Sequence, residues 1–596
     1  MKPSYLSRGF ELRVAVVAAS LLMPAFVGRA QSADSTNPGD VVQMSRFDVK
    51  DSTDSSYGVT TATSGLKSRQ ALLDISTPVQ VMPRALIDDL GFVWLTQDYA
   101  RFVASGLNSY GSNNQFYLRG QRVTPMFKNG IQYYSSVDDA LTVETVEVVK
   151  GINSSLFGSL PAVSGMVMES TKIPLAQSRN TVALLGSSNG TFRTELDFTG
   201  PLEAKLFGAR VSYRLLAALQ DGDLKQISHD DRTIVSPSIQ FDWKTTTLRF
   251  RYEYSNISDF GLYTNSFLNE NNQVSTIGGR DQTYKAPWSR THLKKNEIET
   301  NLITRYTSDF EGRLQIAFYQ ELRSDHDNRA FLVATPGGTG LAANAIIPVT
   351  PQSTLASTVL DLAQTQNTFV INDDYVGNFD LGSSPQQLNF GFNLDYLYNS
   401  QGLVQPYLGS MSVINPVYSA DPGPQSISGA ATTITETKVG SLYLQDQAKF
   451  FTDRLILTLG GNWGFNQVVS HKPVATATYL ESKGSDLTYK MAAVYKVTSQ
   501  VSLYTSRATA FVPQGPGIVG QNGQPLPSIT STAEEFGVKT DGLFDGKLSG
   551  SIGAFTSATL NQPIGINPGT ANFYSINGGR TDTRGLELNQ AAARRD

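Results

Sequence analysis

The sequence predicts an all-β transmembrane barrel preceded by a small N-terminal α+β domain. Three observations carry this. From about residue 175 onward, runs of about ten residues alternate apolar and polar side chains, with Gly, Asn, Asp and Ser between them. The segments joining those runs are short on one side and long on the other, as in barrels with short turns at one rim and long loops at the opposite rim. The chain also opens on a basic and then apolar stretch of the kind that directs export.

Composition supports the same class. The 596 residues exceed one ordinary globular domain, and 40% hydrophobic content is too low and too dispersed for a bundle of transmembrane helices. Tyr (25), Phe (30) and Gly (51) suit strands, interfacial girdles and turns, and the absence of Cys excludes disulfides. A formal charge of −4 gives no electrostatic footprint for nucleic acid, and four His leave little for a metalloenzyme.

In chain order, Lys2, Arg8 and Arg13 precede the apolar run Val14 to Val27, and Gly28 and Ala30 supply small residues before a cleavage site. Residues 1–30 therefore read as a cleaved signal peptide, the run being short of the about 20 residues a spanning helix needs. Residues 31–57 are polar and weakly structured. They carry one apolar patch, Val41, Val42, Met44, Phe47 and Val49, which can pair as an added strand with a partner's sheet edge. The next stretch mixes strand and helix patterns. Ser76 to Arg84 reads as a strand running into a proline that opens a helix, and Ala85 to Ala104 carries Leu86, Leu90, Trp94, Leu95, Tyr99 and Phe102 at helical spacing, split at Gly91. In VETVEVVKGINSSLFG, Val143 to Gly158, alternation puts Val143, Thr145 and Glu147 on one strand face and Glu144, Val146 and Val148 on the other. Gly151 and Gly158 then allow tight turning.

The barrel runs include Thr191 to Thr199, Arg210 to Leu219, Thr233 to Trp243, Leu314 to Leu322, Gln387 to Leu397, Ser441 to Phe450 and Lys547 to Phe555. Asn256 to Lys295, Asp325 to Thr365, Gln401 to Thr435 and Asn466 to Asp486 read as the long loops. A soluble β-sandwich would also alternate, but has no need of the export signal and the one-sided loops together. Catalytic motifs fail on context. Gly186 to Gly190, GSSNG, lacks the helix a nucleophile elbow needs and reads as a hairpin turn. Gly151 to Gly158 lacks the close of a phosphate loop, and Asp325, His326 and Asp327 read as solvated loop charges rather than metal ligands.

Val146, Glu147, Val148, Lys150, Gly151, Ser155, Leu156, Phe157 and Gly158 resemble the signature that closes the plug domain of outer-membrane TonB-dependent receptors. Leu118, Arg119 and Gly120, then Phe127, Asn129, Gly130 and Ile131, resemble the family's preceding stations. Asp231 to Trp243, Glu534 to Phe544 and Thr583 to Leu588 resemble its barrel strands. The resemblance implies a plug over residues 58–174 occluding a barrel over 175–596, in the cell outer membrane, monomeric and contacting lipid. It implies import of a ferric siderophore or, alternatively, of cobalamin, glycan or another large nutrient, with no catalysis, cofactor or protein-held metal. A lipase-like barrel enzyme would need a Ser, His and acid set that cannot be assembled here. Val41, Val42, Phe47 and Val49 fall where the family carries its TonB box, the handle for the inner-membrane energy transducer. Tyr110, Asn113, Asn114, Gln115, Tyr133 and Tyr134 fall on plug loops that would meet the ligand, aromatic faces and amides suiting an oxygen-rich chelate. Arg119, Glu144, Glu147 and Lys150 would pair with the barrel, either as static ion pairs or as pairs broken during transport. Two departures accompany the match. At Pro161 to Ser170, Ser164 and Gly165 stand for the family's Gly-Gly pair and Glu169 near its Asn. The family's barrel has twenty-two strands, against about fifteen countable runs here, so a truncated or remnant receptor is expected.

Overall fold

The structure, a computed structural model, describes residues 45–47, 59, 61–64, 67–93, 95–100, 102–103, 106–109, 115–123, 126–133, 138–157, 164–188, 190–224, 228–258, 284–332, 353–474, 479–546, 548–566 and 574–592. These belong to one compact unit, residues 45–596.

The N-terminal domain begins with the paired strands β1 (Thr61–Ala62) and β2 (Gln70–Ala71). β3 (Val79–Pro83) runs into α1 (Arg84–Asp89), whose N-cap is Pro83. Gly91, at φ +64°, separates α1 from α2 (Leu95–Ala100), as the sequence implied. A small antiparallel meander follows, with β4 (Gly106–Ser109), β5 (Gln115–Leu118) and β6 (Gln121–Val123). After it come β7 (Met126–Lys128), β8 (Ile131–Tyr133), β9 (Val143–Lys150), α3 (Ser154–Phe157) and β10 (Gly165–Thr171). The central sheet has the order β3-β9-β10-β7-β8, and every residue of β9 and β10 is buried. Ile87, Leu95 and Tyr99 from the helices pack on Val143, Val146, Val148 and Val167. Strict alternation over 143–148 is broken: Val143 shares a core with Val146 and Val148. The cause is a register shift opposite Ser170 and Thr171, where Thr145 pairs with Ser170 but Val143 with Thr171, so one extra residue rotates Val143 inward.

The wall starts with β11 (Arg179–Gly186), β12 (Phe192–Pro201) and β13 (Arg210–Asp221), and then a two-strand flap, β14 (Asp223–Leu224) with β15 (Ser228–His229). It continues through β16 (Asp231–Asp242), β17 (Thr246–Ser258), β18 (Arg290–Arg305), β19 (Phe310–Leu332), β20 (Thr354–Leu381), β21 (Ser384–Val404) and β22 (Tyr407–Ser412). β23 (Thr432–Phe450), β24 (Leu455–His471), β25 (Leu480–Lys496), β26 (Val501–Val512), β27 (Ile529–Gly542), β28 (Leu548–Ile566) and β29 (Tyr574–Ala592) complete it. All but the flap join one 17-stranded sheet, two strands above the fifteen runs counted, with neighbours antiparallel. Among the described residues β11 and β29 each pair with one neighbour in that sheet.

Alternation along the wall places polar groups inward and apolar groups outward. On β23, Tyr443 is 5% exposed while its neighbours Leu442 and Leu444 are 55% and 56% exposed. Connections are short at one rim, as at 243–245, 306–309, 382–383, 451–454 and 497–500, and long at the other. The long loops are shorter than expected, because β18 to β25 continue into segments that carry no apolar alternation. On β20 the added residues 355–362 are buried on both faces, Leu355 packing with Tyr284, Met411 and Val413, so the pattern disappears while backbone pairing persists. The GSSNG segment is a hairpin connection from β11 to β12, Ser187 N–H donating to Thr191 O at 3.0 Å.

Candidate functional site

The functional surface is the seam between the N-terminal domain and the wall. Apolar contacts cross it at several points. Leu141 packs among Leu216, Ile234, Ile257 and Leu293, and Ile131 and Tyr133 meet Ala317, Tyr319 and Val370. Leu156 and Phe157 of α3 pack with Phe127 and the wall residue Tyr443. Between these contacts the seam is lined by buried charges, which require partners.

Arg119 owes its position to a two-residue hairpin. Arg119 (φ +52°) and Gly120 (φ +76°) both adopt left-handed backbone between β5 and β6, the geometry of a type I′ turn. From that tip the guanidinium reaches Glu587 on β29 with Nη2–Oε2 at 2.8 Å and Nε–Oε1 at 3.2 Å. It also pairs with Glu535 on β27 and lies 3.9 Å from the Phe555 ring centroid. Lys150, at the end of β9, donates to Asn589 Oδ1 at 2.7 Å and lies 4.0 Å from Glu587. Burial pulls its ammonium down to about 8, with Glu587 opposing. Glu147 faces within the N-terminal domain, accepting from Thr63 N–H and Oγ1 and, at 2.8 Å, from Ser64 N–H. Glu144 is buried and contributes to the cavity beneath β10.

Four further clusters match no motif in the sequence. Asp139 caps the turn before β9, accepting from Leu141 N–H at 3.0 Å. It binds Arg193 of β12 through two contacts at 2.7 and 3.0 Å and Arg232 of β16 at 3.2 Å. Burial would raise its carboxyl, but the two guanidiniums override this and hold it at about 2. Lys128 bridges Asp138 at 2.8 Å and Glu297 of β18 at 3.0 Å, and Lys295 joins at 2.8 Å from Asp138. Tyr133 is inside this cluster, donating to Glu297 at 2.6 Å and accepting from Lys295 at 2.8 Å. Asp138, Glu253 and Glu297 lie within metal-ligating reach of one another. Lys128, Lys295 and Arg251 already balance them. Lys67 and Arg313 share Asp374 at 3.1 and 2.7 Å. The wall ammonium of Lys539 is capped by three carbonyls of the N-terminal domain, Leu72, Ile75 and Thr77, at 3.1, 2.7 and 2.6 Å.

In these contacts the wall partners lie 54 to 468 positions from the plug groups they hold, so a linear pattern carries no trace of them. The local sign available was the acidic pair Asp138-Asp139 immediately before the signature strand.

Of the other expected site residues, Phe47 is buried against Ile303 and Val376 with the Arg313 guanidinium 4.6 Å from its ring centroid. Val41, Val42, Val49, Tyr110, Asn113, Asn114 and Tyr134 lie outside the described residues, and Gln115 opens β5. Asp325, His326 and Asp327 sit on β19 rather than in a loop. His326 is held between Asp361 at 2.6 Å and Asp421 at 2.9 Å and packs on Trp288.

Residues 236–594 match the profile of the family described as TonB dependent receptor-like, beta-barrel. The chain belongs to the TonB-dependent receptor family. This is a family of transport receptors, not enzymes. Among curated relatives, a ferrichrome outer membrane transporter and phage receptor of Escherichia coli is 22% identical over 513 residues, 83% of this chain and 66% of the relative. A metal-pseudopaline receptor of Pseudomonas aeruginosa is 23% identical over 566 residues, 89% of this chain and 73% of the relative. The chain thus spans about two thirds to three quarters of these relatives' lengths. The ferripyoverdine receptor of the Pseudomonas aeruginosa outer membrane superposes with a TM-score of 0.77 at 17% identity, covering 92% of this chain and 72% of that one. The siderophore receptor PiuA of Acinetobacter baumannii gives 0.77 at 18%, covering 91% and 80%. These likenesses establish the fold of the TonB-dependent receptor as a plugged barrel, which makes the seam described above its plug-to-wall contact.

Proposed function

We propose that this receptor sits in the outer membrane, binds a ferric siderophore at the long-loop rim and imports it when an inner-membrane TonB-type transducer displaces the plug. The supporting observation is the seam itself: separate buried charge clusters hold the plug to wall strands on several sides, a strong but breakable closure. Residues 1–30 act as the export leader, 31–57 as the tether with the transducer handle Val41, Val42, Phe47 and Val49, 58–174 as plug and 175–596 as wall. Tyr110, Asn113, Asn114, Gln115, Tyr133 and Tyr134 belong to the ligand face, with Tyr133 coupling it to the Lys128 and Glu297 cluster. The chelator and not the bare ion is gripped, so the protein needs no metal ligands of its own. The relatives' siderophore and metal-chelate ligands favour this substrate class. The test is uptake of radiolabelled ferric siderophores by iron-starved cells carrying the chain. Uptake that disappears on deleting residues 41–49 while surface binding persists supports the proposal. Uptake indifferent to that deletion contradicts energised import.

A further inference from the structure

The plug is not held in the same way on all sides. Arg119 on β27 and β29, Lys128 on β18, Asp139 on β12 and β16, and Lys67 on β20 are closed by buried ion pairs. Along β21 to β25 the contact is mostly neutral. Ser68 Oγ lies 3.4 Å from Asn389 Oδ1 of β21, and Ser155 Oγ of α3 lies 3.5 Å from Gln445 Oε1 of β23. Gln70 Nε2 donates to Gln447 Oε1 at 2.7 Å, and Lys490 Nζ of β25 donates to Asn153 Oδ1 at 3.3 Å. Among the described residues, the ion pair that joins plug to wall in this sector is Asp74 with Lys496 at 2.6 Å, beside the short turn at 497–500.

The same sector leaves polar atoms unsatisfied. Nδ2 of Asn389, Nε2 of Gln445 and Oδ1 of Asn462 are buried with no hydrogen-bond partner among the described residues. Asn389 and Gln445 are directly opposite across β21 and β23, and Asn462 of β24 is diagonal to Gln445, so the three share one patch of the inner face. Ser441 and Asn393 extend it towards the long-loop rim, with Asn462 Nδ2 donating to Ser441 Oγ at 3.3 Å and Ser441 Oγ donating to Asn393 Oδ1. Buried donors and acceptors without partners weaken a closed contact, and they suit a guest that both donates and accepts. An oxygen-rich chelate is such a guest, and neutral hydrogen bonds grip it less tightly than buried charges would.

The tether leads into this sector. The Arg46 carbonyl accepts from Arg69 N–H at 2.7 Å, beside Ser68 and Gln70. Among the described residues β1 and β2 pair with each other and stand outside the five-stranded plug sheet. Thr63 and Ser64 reach that sheet through the Glu147 side chain rather than through backbone pairing. A pull on the chain before residue 45 therefore loads the residues that cover β21 to β25 before it loads the central sheet.

We propose that the passage for the imported chelate opens between the plug and β21 to β25, lined by Asn389, Asn393, Ser441, Gln445 and Asn462, while the ion-paired sectors keep the rest of the plug seated. This route rests on the import reading above and gives plug displacement a place and a lining.

The chain has no Cys, so a single introduced cysteine reports one position. Gln445→Cys and Asn462→Cys sit in the neutral sector. Ser255→Cys sits on β17, where Ser255 is buried and donates to Glu253 at 3.4 Å among the charges. The full-length variants in lipid vesicles are reacted with a membrane-impermeant thiol reagent, in urea that leaves the heat-modifiable wall folded. Gln445→Cys and Asn462→Cys should react at least about tenfold faster than Ser255→Cys, because ion pairs resist opening more than neutral hydrogen bonds do. In iron-starved cells importing radiolabelled ferrichrome or ferripyoverdine, reaction at the first two positions should rise while Ser255→Cys stays protected. A cleavable cross-link between Ser155→Cys and Gln445→Cys should stop uptake, and cleaving it should restore uptake. Equal or faster reaction at Ser255→Cys, or uptake that continues through the cross-link, overturns the route alone. Parent cells that take up neither chelate remove the import reading, and this route with it.

Discussion

At the scale of single residues, the seam is governed by charges that cannot be left alone. Removing one partner of a buried ion pair costs about 3–5 kcal/mol, because the other charge stays buried without compensation. Arg119→Gln removes the guanidinium that pairs with both Glu535 and Glu587, so the β5 to β6 hairpin should lose its hold on β27 and β29. Hydrogen exchange across residues 115–123 is expected to rise by several orders of magnitude while the wall stays protected. Unchanged exchange would show that apolar contacts alone seat the hairpin. Asp139 predicts an acid dependence with a definite sign. Its carboxyl falls from 3.8 to about 2 on folding, so its contribution is complete above the ordinary value and is lost as pH falls through about 2. That shift corresponds to about 2 kcal/mol. Proteolysis of the plug should rise between about pH 4 and pH 2 in the parent. Asp139→Asn should be more susceptible at neutral pH and change less on acidification.

Elements carry the next constraint. β9 and β10 form the spine of the plug, and they approach closely where Gly165 sits at φ +147°. A Cβ there would collide with the Val149 carbonyl oxygen. Gly165→Ala should therefore break the start of the β9 to β10 ladder and destabilise the plug by more than about 1 kcal/mol. Limited proteolysis would show a plug cut near residue 160 inside an intact wall. A protease-resistant plug in that variant would mean the strand pair can shift to accept the methyl group. The Ser164-Gly165 departure noted in the sequence thus retains the one glycine whose backbone demands it.

The whole molecule is set by a wall that must face hydrocarbon outside and a charged plug inside. On β24, Leu457 and Leu459 are exposed outward while Thr458 and Asn462 are buried inward. Leu459→Arg should cost about 2–4 kcal/mol where it meets the middle of the lipid, lowering the temperature at which the folded, heat-modifiable band converts on a gel. Thr458→Val, on the inner face, should leave that temperature nearly unchanged. Equal effects from both would contradict the assignment of faces.

The division between sequence and tertiary structure follows from range. Alternation, the plug signature, the Gly91 break and the one-sided connections are local patterns, each set by a few neighbouring residues, and they determined the plugged-barrel class and the plug's own elements. The partners of Arg119, Lys128, Asp139 and Lys539 were decided only when the wall closed around the plug, because those contacts join positions 54 to 468 residues apart. The bulge that turns Val143 inward, the strand extensions beyond the apolar band and the burial of Phe47 belong to that second group as well. Each depends on what faces a side chain across space, and a one-dimensional pattern holds no record of that.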